Sequence, residues 1–255
     1  MNEFTYHLQI IGHPQSGRST FLAASYYRAR ELLRSLGKAS LSLSCTDQAS
    51  REFIDRILSH VRVNGDYPKL SGCPDTLRLH FYNLHAPTRL FGEREIAVCY
   101  WIWHKLSLPD SSAALPDADG SCLFIDAAQL MDDIAYRAKL DELTGVALSI
   151  AQKAHRRPHP FAIVLTKCDL LGQMTPALRR VLNRELIPLT EALARSESLH
   201  QVFFSSLAIG VVPNTQRYFL LSSDSAAAPL WLMDTIHPLN QAPLNVDLDQ
   251  LLNAR

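Results

Sequence analysis

Residues Tyr6 to Ile11 alternate apolar and polar side chains and end in an apolar pair before Gly12, which predicts a strand delivered into a loop. From Thr20 the apolar positions Phe21, Leu22, Tyr26, Leu32, Leu33 and Leu36 fall at helical spacing, with Gly37 as a stop. Between Ala49 and Val63 the same period returns at Phe53, Ile54, Ile57, Leu58 and Val61, and Asn64-Gly65 ends it before a polar, proline-containing loop. Leu77 to Tyr82 alternates as a half-buried strand. The β-branched and aromatic run from Ile96 to Leu106 is expected to pair with it across a long hairpin loop. No basic cluster accompanies these aromatics, which assigns them to packing.

Two later apolar runs, one closing at Asp126 and one at Asp169, are continuous enough to be parallel strands buried on both faces. A helix is expected from Asp133 to His155, and His155 to His159 behind it reads as a solvated breaker loop. Met174 to Ser196 reads as a helix disturbed near Pro188, and Gln201 to Ser206 as another strand. Arg217 to Ser222 suits one more strand and Asp247 to Asn253 a closing helix, with an Ala-, Pro- and Ser-rich loop between them. Alternating strands and helices imply an α/β sheet with ligands at the carboxyl ends of its strands.

Composition narrows the chemistry. With 25 basic and 25 acidic residues the formal charge is +0, so no bulk field favours nucleic acid or an anionic membrane. A hydrophobic content of 47 % fills a real core. Cys45, Cys73, Cys99, Cys122 and Cys168 are scattered without a C-x-x-C pair, which suits a reduced, cytoplasmic protein. No leader or membrane span is expected, and the histidines show no metal-ligand spacing.

The segment Gly12-His-Pro-Gln-Ser-Gly-Arg-Ser-Thr20 lies where strand turns to helix, the arrangement that holds a phosphate chain. The pattern G-x-x-x-x-G-K-[ST] uses glycines where backbone approaches phosphate, a cation beyond the second glycine and a hydroxyl for magnesium. Gly12, Gly17 and Ser19 fit it, with Gln15, Ser16 and Thr20 completing the loop. The cation is Arg18, whose planar fork differs in shape from a lysine ammonium.

In chain order, this loop, Thr166-Lys167-Cys-Asp169 and Ser205-Ser206-Leu207 resemble the signature of Ras-like P-loop GTPases of the translation-factor-related class, over roughly residues 4 to 210. The resemblance implies a three-layer α/β P-loop fold with a mostly parallel sheet, one antiparallel hairpin strand and insertions, in a single domain over 1–255 with an extension at 211–255. It also implies GTP or GDP with Mg2+. Thr166, Lys167 and Asp169 would bind guanine, because a carboxylate paired to two N–H donors rejects adenine, and Ser205, Ser206 and Leu207 would support the base.

The D-x-x-G motif of the family is matched best by Asp110-Ser-Ser-Ala113, with Asn83-Leu-His-Ala as competitor. Asp110 and Arg18 would then be the catalytic pair, and Ser19, Thr76 and Asp110 the metal ligands. Both D-x-x-G matches lack the glycine, so hydrolysis is expected to be weak. The resemblance, distantly closest to bacterial double-GTPase-type domains, implies a slow molecular switch acting with a protein partner. A non-catalytic pseudo-GTPase module and an ATP-dependent P-loop enzyme stay open as alternatives.

Overall fold

Strand β1 (Asn2–Gly12) lies between two neighbours that run with it, β4 (Glu95–Lys105) and β5 (Gly120–Asp126). The structure is a computed structural model that describes residues 2–35, 41–68, 76–83, 95–105, 118–153, 158–223 and 225–236. Beyond β4 come β3 (Thr76–Asn83) and β2 (Leu41–Cys45); beyond β5 come β6 (Phe161–Thr166) and β7 (His200–Phe204). The sheet order is therefore β2-β3-β4-β1-β5-β6-β7, and β3 alone runs against the rest. This is the expected α/β architecture, with one reversed hairpin strand in an otherwise parallel sheet.

Helices cover both faces, and residue parity along the strands decides which face each side chain joins. Leu8, Ile10, Cys122, Phe124, Ala162 and Val164 pack with α1 (Arg18–Ser35), α2 (Gln48–Asn64) and α7 (Ala227–Ile236). Ile11, Leu123, Ile125, Ile163 and Leu165 pack on the other side with α3 (Ala127–Asp132), α4 (Tyr136–Lys153), α5 (Pro176–Glu185) and α6 (Ile187–Arg195). The β5 and β6 runs are buried along their whole length, which is why they read as continuous rather than alternating. Trp101 of β4 is likewise buried in the core.

Several expectations need correction. The helix expected from Asp133 is α4, which starts at Tyr136 because the Asp133 carboxylate accepts from Ala135 N and local bonding competes with the helix, and α3 lies before it, outside the expected range. Pro188 sits in the first turn of α6, so the disturbed helix resolves into α5 and α6. The Ala- and Pro-rich stretch expected as loop contains α7, whose Leu230, Leu232 and Met233 are core residues. His159 is buried rather than solvated, and its ring accepts or donates a hydrogen bond at 2.9 Å with Ser121 Oγ. Strand β2 went unread, and Ser206 to Val211 is a strand, β8, paired with β9 (Tyr218–Ser223) in a separate two-stranded sheet. The closing helix expected at 247–253 lies outside the described residues.

Candidate functional site

The carboxyl ends of β1, β5 and β6 lie side by side, with Gly12 opposite Phe124 and Asp126 opposite Thr166. The expected phosphate loop leaves β1 here and turns into α1 at Arg18. Two residues take the left-handed conformation to make that turn, Gln15 at φ 65° and Gly17 at φ 77°. At Gly12 space is the constraint: a Cβ would come within 2.9 Å of Phe124 Cβ, Phe124 carbonyl O and Ser16 Oγ. Ser16 N donates to His13 O at 3.2 Å and Phe21 N to Gly17 O at 2.9 Å, which closes the loop onto the helix. Arg18, Ser19 and Thr20 form the first turn of α1, where backbone N–H groups lack intrahelical partners.

This loop suits an anion. The first turn of α1 carries no acidic residue, the helix dipole points its positive end there, and Ser16 Oγ is a buried hydroxyl with no hydrogen-bond partner among the described residues. His13 is drawn sideways instead, its Nε2 3.0 Å from Lys139 O and 3.7 Å from Glu142 on α4.

The Thr166–Asp169 segment meets this loop directly. The single Thr166 hydroxyl proton lies between Ser16 O at 2.8 Å, the closer acceptor, and Ile125 O at 3.2 Å. Lys167 follows in the left-handed conformation, and a 3₁₀ turn (Cys168–Leu171) carries Asp169. The Asp169 carboxylate accepts from Leu207 N at 3.1 Å, and Cys168 N donates to Ser205 O at 3.2 Å. Ser205 is fully buried, with an Oγ that has no partner among the described residues, while Ser206 opens β8. Thus the loop after β1, the turn after β6 and the loop after β7 come together, as the three separate sequence segments required.

The remaining expected residues lie elsewhere. Thr76 enters β3 opposite Ile102, at the same end of the sheet as Gly12. Asn83 closes β3 opposite Glu95, which pairs with Asn2, so the competing D-x-x-G match sits at the far end from the loop and is set aside. β4 ends at Lys105, beside Gly12, and Asp110 follows it in a stretch outside the described residues. Among the described residues no cluster of His, Cys, Asp or Glu could hold a metal, and no helix is long and apolar enough to cross a membrane.

No protein-family model matches the chain, and no curated protein matches it. Among solved structures, it is similar to an ADP-ribosylation-factor-like GTP-binding protein, or small COPII coat GTPase SAR1, from Encephalitozoon cuniculi in complex with GDP. That likeness has 13 % identity and a TM-score of 0.41, covering 92 % of this chain and 82 % of that one. It is similar also to the Ski7 GTPase-like domain of S. cerevisiae bound to GTP (15 %, TM-score 0.44, 80 % of this chain and 43 % of that one). A third is the signal recognition particle receptor SRb-GTP/SRX complex from Chaetomium thermophilum (16 %, TM-score 0.42, 82 % and 93 %). The mostly parallel sheet with a single reversed strand is the architecture that the sequence resemblance implies.

Two residues of the site were not read from the sequence. Asp126 is almost fully buried and takes the Lys167 ammonium at 2.5 Å; its only sequence signal is a carboxylate ending a buried strand. Tyr67, in the loop after α2, donates its hydroxyl to Leu207 O. Burial, with the Asp169 charge adding to it, pushes the Tyr67 phenol up to about 12. Nothing local signals a contact that spans 140 positions.

Proposed function

We propose that this chain is a guanine-nucleotide-binding, GTPase-like protein that hydrolyses slowly and works as a switch with a protein partner in the cytoplasm. The observation that supports it is the hydrogen bond from Thr166 to Ser16, which joins a phosphate-type loop to a T-K-C-D turn at the carboxyl end of one sheet. In this reading backbone N–H groups of the loop from Gly12 to Thr20, at Gln15 and from Gly17 onward, cradle the phosphates together with the buried Ser16 hydroxyl. Arg18 reaches the β/γ oxygens. Asp169 pairs with the guanine edge, the Lys167 stem covers the base, and the Ser205, Ser206 and Leu207 backbone supports it.

Ser19 and Asp110, with Thr76, would hold Mg2+, which when bound neutralises charge developing on the transferred phosphoryl group. Ser19 lies in the first turn of α1. Arg18 in place of lysine and Ala113 in place of glycine both act on the γ-phosphate side, which is the reason for slow turnover. The same two substitutions support the second reading, a non-catalytic module that keeps the nucleotide as a structural support.

Titration of the purified chain with fluorescent GDP and GTP, with and without magnesium and against ATP as competitor, tests the proposal. Micromolar or tighter binding of both guanine nucleotides, resistant to ATP, is expected. Failure of either to bind at millimolar concentration refutes it, and equal affinity for ATP favours an adenine-using P-loop enzyme instead. Single-turnover hydrolysis then separates the slow switch from the non-catalytic module.

A further inference from the structure

Asp126 is the only Asp, Glu, Lys or Arg buried among the described residues, at 2 % exposure. A carboxylate in such a place is retained only when it is paired and hydrogen-bonded. Both oxygens are committed: Oδ1 accepts from Gln129 N at 3.1 Å, capping α3, and Oδ2 takes the Lys167 ammonium at 2.5 Å. Lys167 is therefore held at both ends. Its backbone is fixed in the left-handed conformation between Thr166, bonded to Ser16 and Ile125, and Cys168, bonded to Ser205. Its head is fixed by Asp126.

A lysine stem has four rotatable bonds, and an untethered one samples many rotamers. Pinning the ammonium on one side of the turn leaves the methylenes as a fixed apolar rail two positions before Asp169. It also moves the cation onto the end of β5. We infer that Asp126 is a positioning residue for a purine base: it sets the Lys167 stem as one wall of the base site and keeps the ammonium charge on the β5 side. This rests on the guanine-binding reading above. A carboxylate that serves only as the α3 cap would account for the bond to Gln129 but not for the ion pair.

Asp126→Asn separates the two roles, because asparagine caps a helix as well as aspartate while losing the charge that holds lysine. The unfolding midpoint is expected to stay close to the parent. Lys167 acylation in the nucleotide-free protein, followed by mass spectrometry, is expected to speed up several-fold, and GDP affinity to fall about tenfold. Lys167→Met should weaken GDP similarly, and the double variant no further than the single ones. Parent-like labelling and parent-like GDP affinity in Asp126→Asn overturn the inference, as do additive losses in the double variant. A parent that binds no guanine nucleotide overturns the guanine reading and the base wall with it, while the labelling rate still reports separately whether Asp126 fixes Lys167.

Discussion

The hydroxyl of Thr166 donates to the carbonyl of Ser16 across 150 positions of chain, at 2.8 Å and out of contact with solvent. Thr166 ends β6 and Ser16 lies in the loop after β1, two strands that do not touch because β5 runs between them. The same hydroxyl lies 3.2 Å from Ile125 O, on that intervening strand, so its one proton is shared between the two carbonyls. One side chain therefore ties three strand ends into a single unit, and the loop geometry depends on it.

Replacing Thr166 with valine keeps the shape and removes the single hydroxyl proton, so the buried Ser16 carbonyl loses its shorter partner. A loss of about 1–3 kcal/mol in chemical denaturation is expected, with faster amide hydrogen exchange at Ser16 and Gly17. Thr166→Ser should recover most of both. Unchanged exchange in the valine variant would show that the loop holds itself.

Gly12 and Gly17 should respond differently to alanine. At Gly12 the new methyl meets Phe124 backbone and Ser16 at 2.9 Å, so the protein is expected to lose on the order of 1–3 kcal/mol. At Gly17 the nearest atom, Thr166 Cβ, is 3.6 Å away, and the cost comes only from the positive φ, about 1 kcal/mol. Thermal unfolding of the two variants side by side checks the order; equal losses would contradict it.

Asp169→Asn should keep its contact with Leu207 N, since the amide oxygen still accepts, while reversing the pattern offered to a base edge. Guanine nucleotide affinity is expected to fall by roughly 2 kcal/mol or more and xanthine nucleotide affinity to rise. Competition binding with GDP and XDP measures both. Retention of full GDP affinity would remove Asp169 from the base site.

His159 gives the chain an acid-sensitive point away from the proposed site. Burial depresses its imidazole to about 4 from the ordinary 6.5, so the folded state holds it neutral beside Ser121. The unfolded chain binds the proton first, and the stability from this residue is full above pH 6.5 and is lost as the pH falls toward 4. Between pH 7 and pH 5 that amounts to about 2 kcal/mol. Urea unfolding of the parent and of His159→Gln at both pH values should show a smaller loss in the variant; parallel losses would assign the acid sensitivity to other groups.

If the proposed roles of Arg18 and Ala113 at the γ-phosphate hold, Arg18→Lys combined with Ala113→Gly is expected to raise the single-turnover GTPase rate, because it supplies a compact cation and a flexible backbone there. A parent rate already typical of an efficient GTPase, without any partner, would argue for an ordinary enzyme with an unusual loop.

What the sequence determined by itself was whatever depends on neighbours along the chain. The alternation before Gly12 and the helical period after Thr20 located β1 and α1, and the unbroken apolar runs ending at Asp126 and Asp169 located β5 and β6, because burial on both faces leaves no polar period to read. The loop and the T-K-C-D turn were legible for the same reason, being short motifs at strand ends. The tertiary structure alone decided which strand ends meet. Only the pairing of β3 against β4 sent Asn83 to the far end of the sheet, and only the juxtaposition of β5 and β6 brought Asp126 to Lys167. Tyr67 reached Leu207, and α7 found the core, through contacts whose stabilisation comes from surface buried between distant segments, which leaves no local periodic trace in the chain.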